Sequence, residues 1–182
     1  MQNRNPPEIL KTEICVKSKL FTVETVDLRF SNGIEVQWER LRSSSRGAVL
    51  IVPMLDDDTV LMIREYAVGV GRYELALPKG KIDAGESILQ AANREMMEEV
   101  GYGANQLDHI DSVTIAPGYL GHTTHIVVGR ELYEKSLPGD EPEEIEVVPW
   151  SLSRLNELMA QDDMTEARTI AALFMVREMG QQ

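Results

Sequence analysis

The chain has 182 residues, a formal net charge of −12 and a hydrophobic fraction of 43%. That length suits one compact domain with a small appendage, and the apolar share is enough for an ordinary core. The acidic balance argues against a nucleic-acid binder, which needs a basic face for phosphate contacts, and no run approaches the ~18 apolar residues of a membrane helix. Cys15 is the one cysteine, so an intramolecular disulfide is impossible, which fits a reducing compartment. The segment Met1 to Pro7 lacks the apolar stretch of a secretory signal. The expected location is the cytoplasm. An acidic protein still takes an anionic substrate when a divalent cation sits between them, and clustered acids are therefore the feature to look for.

In chain order, residues 1 to 12 are polar and proline-containing, as in a loose tail. Phe21 to Phe30 alternates apolar and polar residues, Asn32-Gly33 follows, and Ile34, Val36 and Trp38 alternate again, which predicts a hairpin with a tight turn. The apolar phase shifts between Val23 and Val26, which predicts a bulge there. Ser43-Ser44-Ser45 marks a seam. Ala48 to Met54 is a continuous apolar run, predicted as a buried strand. Asp56-Asp57-Asp58 turns the chain into a second strand, Thr59 to Ile63. A long glycine-containing loop leads to Leu75-Ala76-Leu77-Pro78-Lys79-Gly80, and Glu86 to Val100 reads as a helix ended by Gly101 and Gly103. Further strands are predicted over Leu107 to Ala116, Thr124 to Leu132 and Ile145 to Trp150, the last preceded by the acidic loop Pro138 to Glu144. Ser151 caps a short helix through Met159 in this reading, and Thr165 caps the last one, whose Ala167, Ile170, Ala171 and Phe174 form an apolar stripe. Mixed strands and helices make the chain α/β or α+β, without an internal repeat.

The predicted helix at Glu86–Val100 contains Arg94-Glu95-Met96-Met97-Glu98-Glu99. Residues three and four apart share a helix face, so Glu95 and Glu99 are neighbours and Glu98 stands one turn from Glu95. Carboxylates packed this way repel one another unless a cation compensates, and hard oxygen ligands suit Mg²⁺ or Mn²⁺ rather than Zn²⁺. Arg94 reaches Glu98 at i+4. Taken alone, a solvated acidic helix face explains such a cluster as readily. The spacing of the whole segment decides against that.

Gly80, five residues, Glu86, seven residues, then Arg94-Glu95-Met96-Met97-Glu98-Glu99-Val100-Gly101-Tyr102 resembles the Nudix box, G-x5-E-x7-R-E-U-x-E-E-x-G-U with U a bulky apolar residue. Every fixed position matches; Tyr102 stands where an aliphatic residue is usual. The resemblance implies an α/β fold, the Nudix fold, with a mixed β-sheet sandwiched between α-helices from about Arg46 to the C-terminus. It implies metal ligation by Glu95, Glu99 and often Glu98, completed by the backbone carbonyl of Lys79, and orienting roles for Gly80, Glu86, Arg94 and Gly101. The general base is Glu98 or Glu99 within the box, or, as is usual in the ADP-ribose branch of the family, an acid on a loop before a late strand. Glu141, Glu143, Glu144 and Glu146 occupy that region, and Glu143 is favoured, then Glu144.

Pro117, 16 residues beyond Gly101, resembles a marker of ADP-ribose and ADP-sugar hydrolases. It would make Ala116-Pro117-Gly118-Tyr119 a substrate loop. The N-terminal hairpin, residues 1–45, is similar to the dimerisation module of the ADP-ribose branch, leaving 46–182 as the Nudix domain. The pieces Ile63 to Gly69, Gly139 to Pro142 and Glu166 to Arg168 look like the branch that cleaves ADP compounds. Implied, then, is Mg²⁺- or Mn²⁺-dependent cleavage of a small nucleoside diphosphate derivative by a homodimer, with no nucleic-acid or membrane partner. Arg40 and Arg64 are candidate phosphate or ribose contacts, since arginine forks suit phosphate oxygens. Trp38 and Tyr66 are better explained as core, and His109, His122 and His125 show no metal-ligand spacing. The rival readings are a nucleoside triphosphate pyrophosphatase and a non-catalytic ligand sensor; an intact box weighs against the sensor.

Overall fold

The computed structural model describes residues 5–42 and 46–180. The chain divides into two compact units: one runs to Ser45 and takes in Thr114–His122, and the other comprises Arg46–Val113 and Thr123–Gln182. The seam at Ser43-Ser44-Ser45 lies outside the described residues, as do the first four residues of the predicted tail.

The first unit is built on an antiparallel sheet of β1 (Glu8–Lys17), β2 (Thr22–Arg29) and β3 (Glu35–Leu41), in that order. The β2–β3 hairpin closes at Asn32-Gly33, as its alternation predicts. The tail does not stay loose: from Glu8 onward it pairs with β2. Backbone hydrogen bonds to a neighbouring strand recruit it, and such bonds need no apolar pattern in the recruited segment. The predicted bulge falls on the partner strand. The register steps from Ile9↔Leu28 to Lys11↔Asp27 and from Ile14↔Glu24 to Val16↔Val23, so Leu10 and Cys15 of β1 are the extra residues, while β2 against β3 stays regular. Trp38 is not core: it is 54% exposed, with its edge on Phe30.

The second unit holds a mixed sheet, β7-β4-β9-β8, and a second sheet, β10-β5-β6. The strands are β4 (Ala48–Pro53), β5 (Thr59–Ala67), β6 (Arg72–Ala76), β7 (Lys79–Lys81), β8 (Tyr102–Thr114), β9 (Thr123–Glu134) and β10 (Glu146–Ser151). β4 runs parallel to β9 and antiparallel to β7. Its continuous apolar run is explained by burial on both faces. Val49 and Ile51 join one core cluster with Ala91, Ala92, Met96 and Val100. Leu50 and Val52 join the other with Ala172, Leu173 and Val176. The sheets are thereby covered by α1 (Ile88–Glu99) on one side and α3 (Ala167–Met179) on the other. This is the α/β sandwich expected.

The structure corrects several local readings. The glycine-containing loop carries β6, which pairs with β5 from Ile63↔Ala76 to Ala67↔Arg72. Gly103 lies inside β8; Gly101, at φ +77°, is the residue that turns the chain out of α1. Ser151 makes no capping bond and leads into a 3₁₀ turn, Leu152–Arg154, and the single-turn α2, Leu155–Leu158. Glu166, not Thr165, caps α3 by accepting from the Thr169 N–H, because Thr165 is engaged by Glu74. The buried face of α3 is Thr169, Ala172, Leu173 and Val176, shifted from the predicted stripe: Ala167 is exposed, and Ile170, Ala171 and Phe174 are half-buried. A helix this rich in apolar residues has more than one stripe at helical spacing, and the packing partner selects one.

Candidate active site

Ser87 starts α1 with a capping box. Its hydroxyl accepts from the Gln90 N–H at 3.2 Å while the Gln90 side chain accepts from the Ser87 N–H at 2.9 Å. One and two turns beyond Ala91 and Ala92, the same face of the helix carries Glu95 and Glu99, with Arg94 and Glu98 at its margin. A guanidinium has five N–H donors, and Arg94 uses all of them. It holds Glu86 in a fork (2.7 and 3.0 Å), Glu95 at 2.8 Å, Glu98 at 2.9 Å and the Lys81 carbonyl at 3.0 Å. That fork, against the opposing effect of burial and with help from the Asp83 N–H, keeps the Glu86 carboxyl below the usual range.

Glu99 is the most perturbed carboxyl of the group. Burial pushes it up to about 8, against the pull of the Lys79 N–H, which donates to it at 2.9 Å, and of the Lys79 charge; Glu65 and Glu95 push the same way as burial. Burial likewise raises Glu95, whose bond and charge from Arg94 oppose it. Gly80 sits directly against the Glu95 carboxyl, so that a Cβ built there would overlap it; the close approach of β7 to α1 needs a residue without a side chain. Across from α1, burial raises Glu141, seconded by the charges of Glu65 and Asp140. Oxygens of Glu65, Glu99 and Glu141 lie within 4.8 Å of one another. A cleft of about 320 Å³ runs between Glu95, Glu98 and Glu99 on the helix and Asp140, Glu141, Glu143 and Glu144 on the loop between β9 and β10. Carboxylates converging this closely, with Glu99 buried among them, are unfavourable among themselves and fit an all-oxygen donor set for a hard divalent cation.

The family profile of the NUDIX domain matches residues 44–174. The chain belongs to the Nudix hydrolase family. The profile of the NudE-type Nudix hydrolase N-terminal domain matches residues 7–40. The chain is 51% identical to the ADP compounds hydrolase NudE of Escherichia coli (strain K12), covering 94% of this chain and 92% of that one. It is 26% identical to the ADP-ribose pyrophosphatase of Bacillus subtilis (strain 168), over 90% of this chain and 91% of that one. A solved structure described as an ADP compounds hydrolase superposes with a TM-score of 0.91 at 49% identity, covering 98% of this chain and 96% of that one.

Within the Nudix box, Gly80, Glu86, Arg94, Glu95, Glu98 and Glu99 all meet at the site just described, and the Lys79 backbone stands beside Glu99. Gly101 lines the same cleft where α1 ends. On the acidic loop, Glu143 accepts from the Tyr73 hydroxyl at 2.7 Å, and Glu144 lines the cleft. Arg64 is taken up by Glu146 (2.7 Å) and Asp163 (3.0 Å). Arg40, on β3 in the first unit, is bonded to the buried Glu24 at 3.1 Å, and Pro117 belongs to the segment Thr114–His122 of that unit. Tyr66 is half in solvent at 54% exposed, edge-on to Tyr73, where the sequence reads it as core. His109 and His125 are bridged by the Ser112 hydroxyl (3.0 and 2.8 Å). Sequence reasoning misses Glu65 and Tyr73. Nothing in β5 or β6 marks them by spacing; they join the site because β5 pairs with β6 beside β7.

Proposed function

We propose that the chain is a metal-dependent hydrolase that cuts the diphosphate bond of ADP-linked small molecules, such as ADP-ribose, NADH and diadenosine polyphosphates, and releases AMP. The observation that carries this is the buried Glu99 at the meeting point of Glu65 and Glu141, behind an intact Nudix box. Similarity to an ADP compounds hydrolase of Escherichia coli and an ADP-ribose pyrophosphatase of Bacillus subtilis supports the ADP-linked substrate class. Glu95, Glu99 and the Lys79 carbonyl are the proposed ligands of Mg²⁺ or Mn²⁺, with Glu98 beside them. A bound ion there neutralises diphosphate charge and makes a water more acidic. Arg94 fixes Glu95 and Glu98 and, with every donor used, acts on orientation rather than on substrate.

The sequence favours Glu143 as the base, then Glu144. The geometry supports Glu141 better: its carboxyl reaches the Glu99 cluster and its affinity for a proton is raised by burial, whereas Glu143 is tied to Tyr73. The domain division at residues 45 and 46 and a two-fold homodimer complete the reading. On the first unit, Ile9, Ile14, Val36 and Trp38 share a sheet face with Val26 and Leu28 by register, and Ile9, Ile14 and Trp38 are exposed. An apolar face of this kind is suited to a second copy. Arg40 lies on that face, where it serves a shared substrate site. No helix among the described residues is long and apolar enough to cross a membrane. The free Cys15 suits a reducing compartment, and the cytoplasm is the location proposed.

Product analysis tests the reading. With Mg²⁺, ADP-ribose should yield AMP and ribose 5-phosphate, and NADH and diadenosine polyphosphates should also be cut. Pyrophosphate release from nucleoside triphosphates at a higher kcat/KM would replace this substrate class by the rival one. Ligand binding without turnover would make the protein a sensor.

A further inference from the structure

A diphosphate substrate brings negative charge to a cleft whose own wall is acidic. No lysine or arginine is among its lining residues. The nearby arginines are committed: Arg94 spends its five donors on Glu86, Glu95, Glu98 and Lys81, and Arg64 is held by Glu146 and Asp163. Lys79 is different. Its side chain pairs with Glu65, both groups being about four-fifths covered, and its charge is felt by Glu99 and by Glu141. The ammonium therefore sits among the three carboxylates whose oxygens converge within 4.8 Å. An ammonium has three N–H donors. Among the described residues Glu65 is the acceptor that takes one of them.

We infer that the Lys79 ammonium, paired with Glu65 directly behind the Glu99 and Glu141 wall of the cleft, is the cation that meets the substrate diphosphate. The inference rests on the proposed function for the identity of the anion. The same residue then serves twice: its backbone stands beside the metal position, and its side chain supplies a cation for a phosphoryl oxygen that neither Arg94 nor Arg64 is free to take. The ammonium is also a like charge to any divalent cation held by Glu99. Removing it should therefore weaken the anion and leave the metal bound as well or better. A residue that merely props up the loop would, when removed, weaken both.

The test uses the full-length protein with Lys79→Met and Lys79→Arg. Calorimetry with Mn²⁺ alone reads the metal. Calorimetry with the non-hydrolysable α,β-methylene analogue of ADP-ribose, at saturating Mg²⁺, reads the anion. Lys79→Met is expected to lose about tenfold or more in analogue affinity, the size of one charge-assisted hydrogen bond, with Mn²⁺ affinity unchanged or increased. Lys79→Arg keeps the charge and should recover most of the analogue affinity. Unchanged analogue binding in Lys79→Met overturns the inference. So does a parallel loss of Mn²⁺ and analogue in Lys79→Met that Lys79→Arg fails to repair, the pattern of a structural role. If the wild type ignores the ADP-ribose analogue but binds the α,β-methylene analogue of a nucleoside triphosphate, the substrate reading falls. The same comparison with that analogue then decides Lys79 on its own.

Discussion

Gly80 and Glu99 contribute to the site in opposite ways. Gly80 contributes space: the Cβ of Gly80→Ala would meet the Glu95 carboxyl, and β7 or Glu95 must move. The expected outcome is a loss of activity of about tenfold or more with weaker Mn²⁺ binding by titration, since small misplacements at a reacting centre cost this much. Glu99 contributes a carboxyl that the metal-free fold holds at a cost, since burial pushes it up to about 8 and folding at neutral pH must bring in a proton. Glu99→Gln keeps the shape and an acceptor for the Lys79 N–H. It should abolish most turnover at saturating Mg²⁺ and raise the Tm of the metal-free protein, the usual trade between activity and stability. Glu166 shows the reverse case. Burial would raise its carboxyl, but the Arg168 bond and charge and the Thr169 N–H and hydroxyl together hold it below its ordinary 4.5. A carboxyl lowered by folding stabilises above its unfolded pKa, and that stability is lost as pH falls through the folded one. Wild-type stability from urea midpoints should therefore drop from about pH 4.5 downward. Glu166→Gln should start about 1 kcal/mol lower at pH 7 and show a flatter acid limb.

At the scale of elements, α1 carries the site because one helix performs two tasks. Its first turns bury Ala91, Ala92 and Met96 completely, which fixes its rotation, and the same face one and two turns on carries Glu95 and Glu99 to the cleft beside the loop before β10. The α3 helix only packs, and its burial pattern predicts where it is sensitive. Leu173→Ala, at a fully buried position, is expected to cost about 2–5 kcal/mol by chemical denaturation. Ala167→Ser, on the exposed side, should stay within about 0.5 kcal/mol. An equal effect at both positions would contradict the assigned face. The helix of the site was legible in the sequence at nearly its true length because its spacing is dictated by chemistry. The face of α3 was not, because Ala167, Ile170, Ala171 and Phe174 form a stripe as apolar as the true one, which opens on the polar Thr169. The strand β6 was hidden too: Arg72-Tyr73-Glu74 looks polar, and Glu74 is buried only because Arg72 and Thr165 bond to it.

At the scale of the whole molecule, the sheet of the first unit leaves Ile14 and Trp38 each 54% exposed on one apolar face. If a second copy covers that face, light scattering at micromolar concentration should give twice the 20.4 kDa chain mass. The double variant Ile14→Ser with Trp38→Ser should then run as a folded monomer by circular dichroism and scattering. A wild-type monomer would remove the dimer and, with it, any role of Arg40 in a shared site. The bulges at Leu10 and Cys15 twist the edge strand β1 locally, which guards its free edge against indiscriminate strand pairing.

The sequence by itself determined the chemistry of the centre. The interval from Gly80 through Glu86 to Glu99 carries the helix, its turn and its ligands within one local segment, where helical periodicity alone brings Arg94, Glu95, Glu98 and Glu99 together. It also determined the doubly buried strand Ala48–Pro53 and the Asn32-Gly33 hairpin, because apolar runs and turn residues are local signals. Only the tertiary structure decided what stands opposite. Glu65, Tyr73 and Glu141 reach the site by strand pairing and loop placement between residues far apart in the chain. The raised carboxyl of Glu99 comes from burial that no spacing encodes, and the recruitment of Glu8–Lys17 into a sheet comes from backbone bonds that any sequence can make.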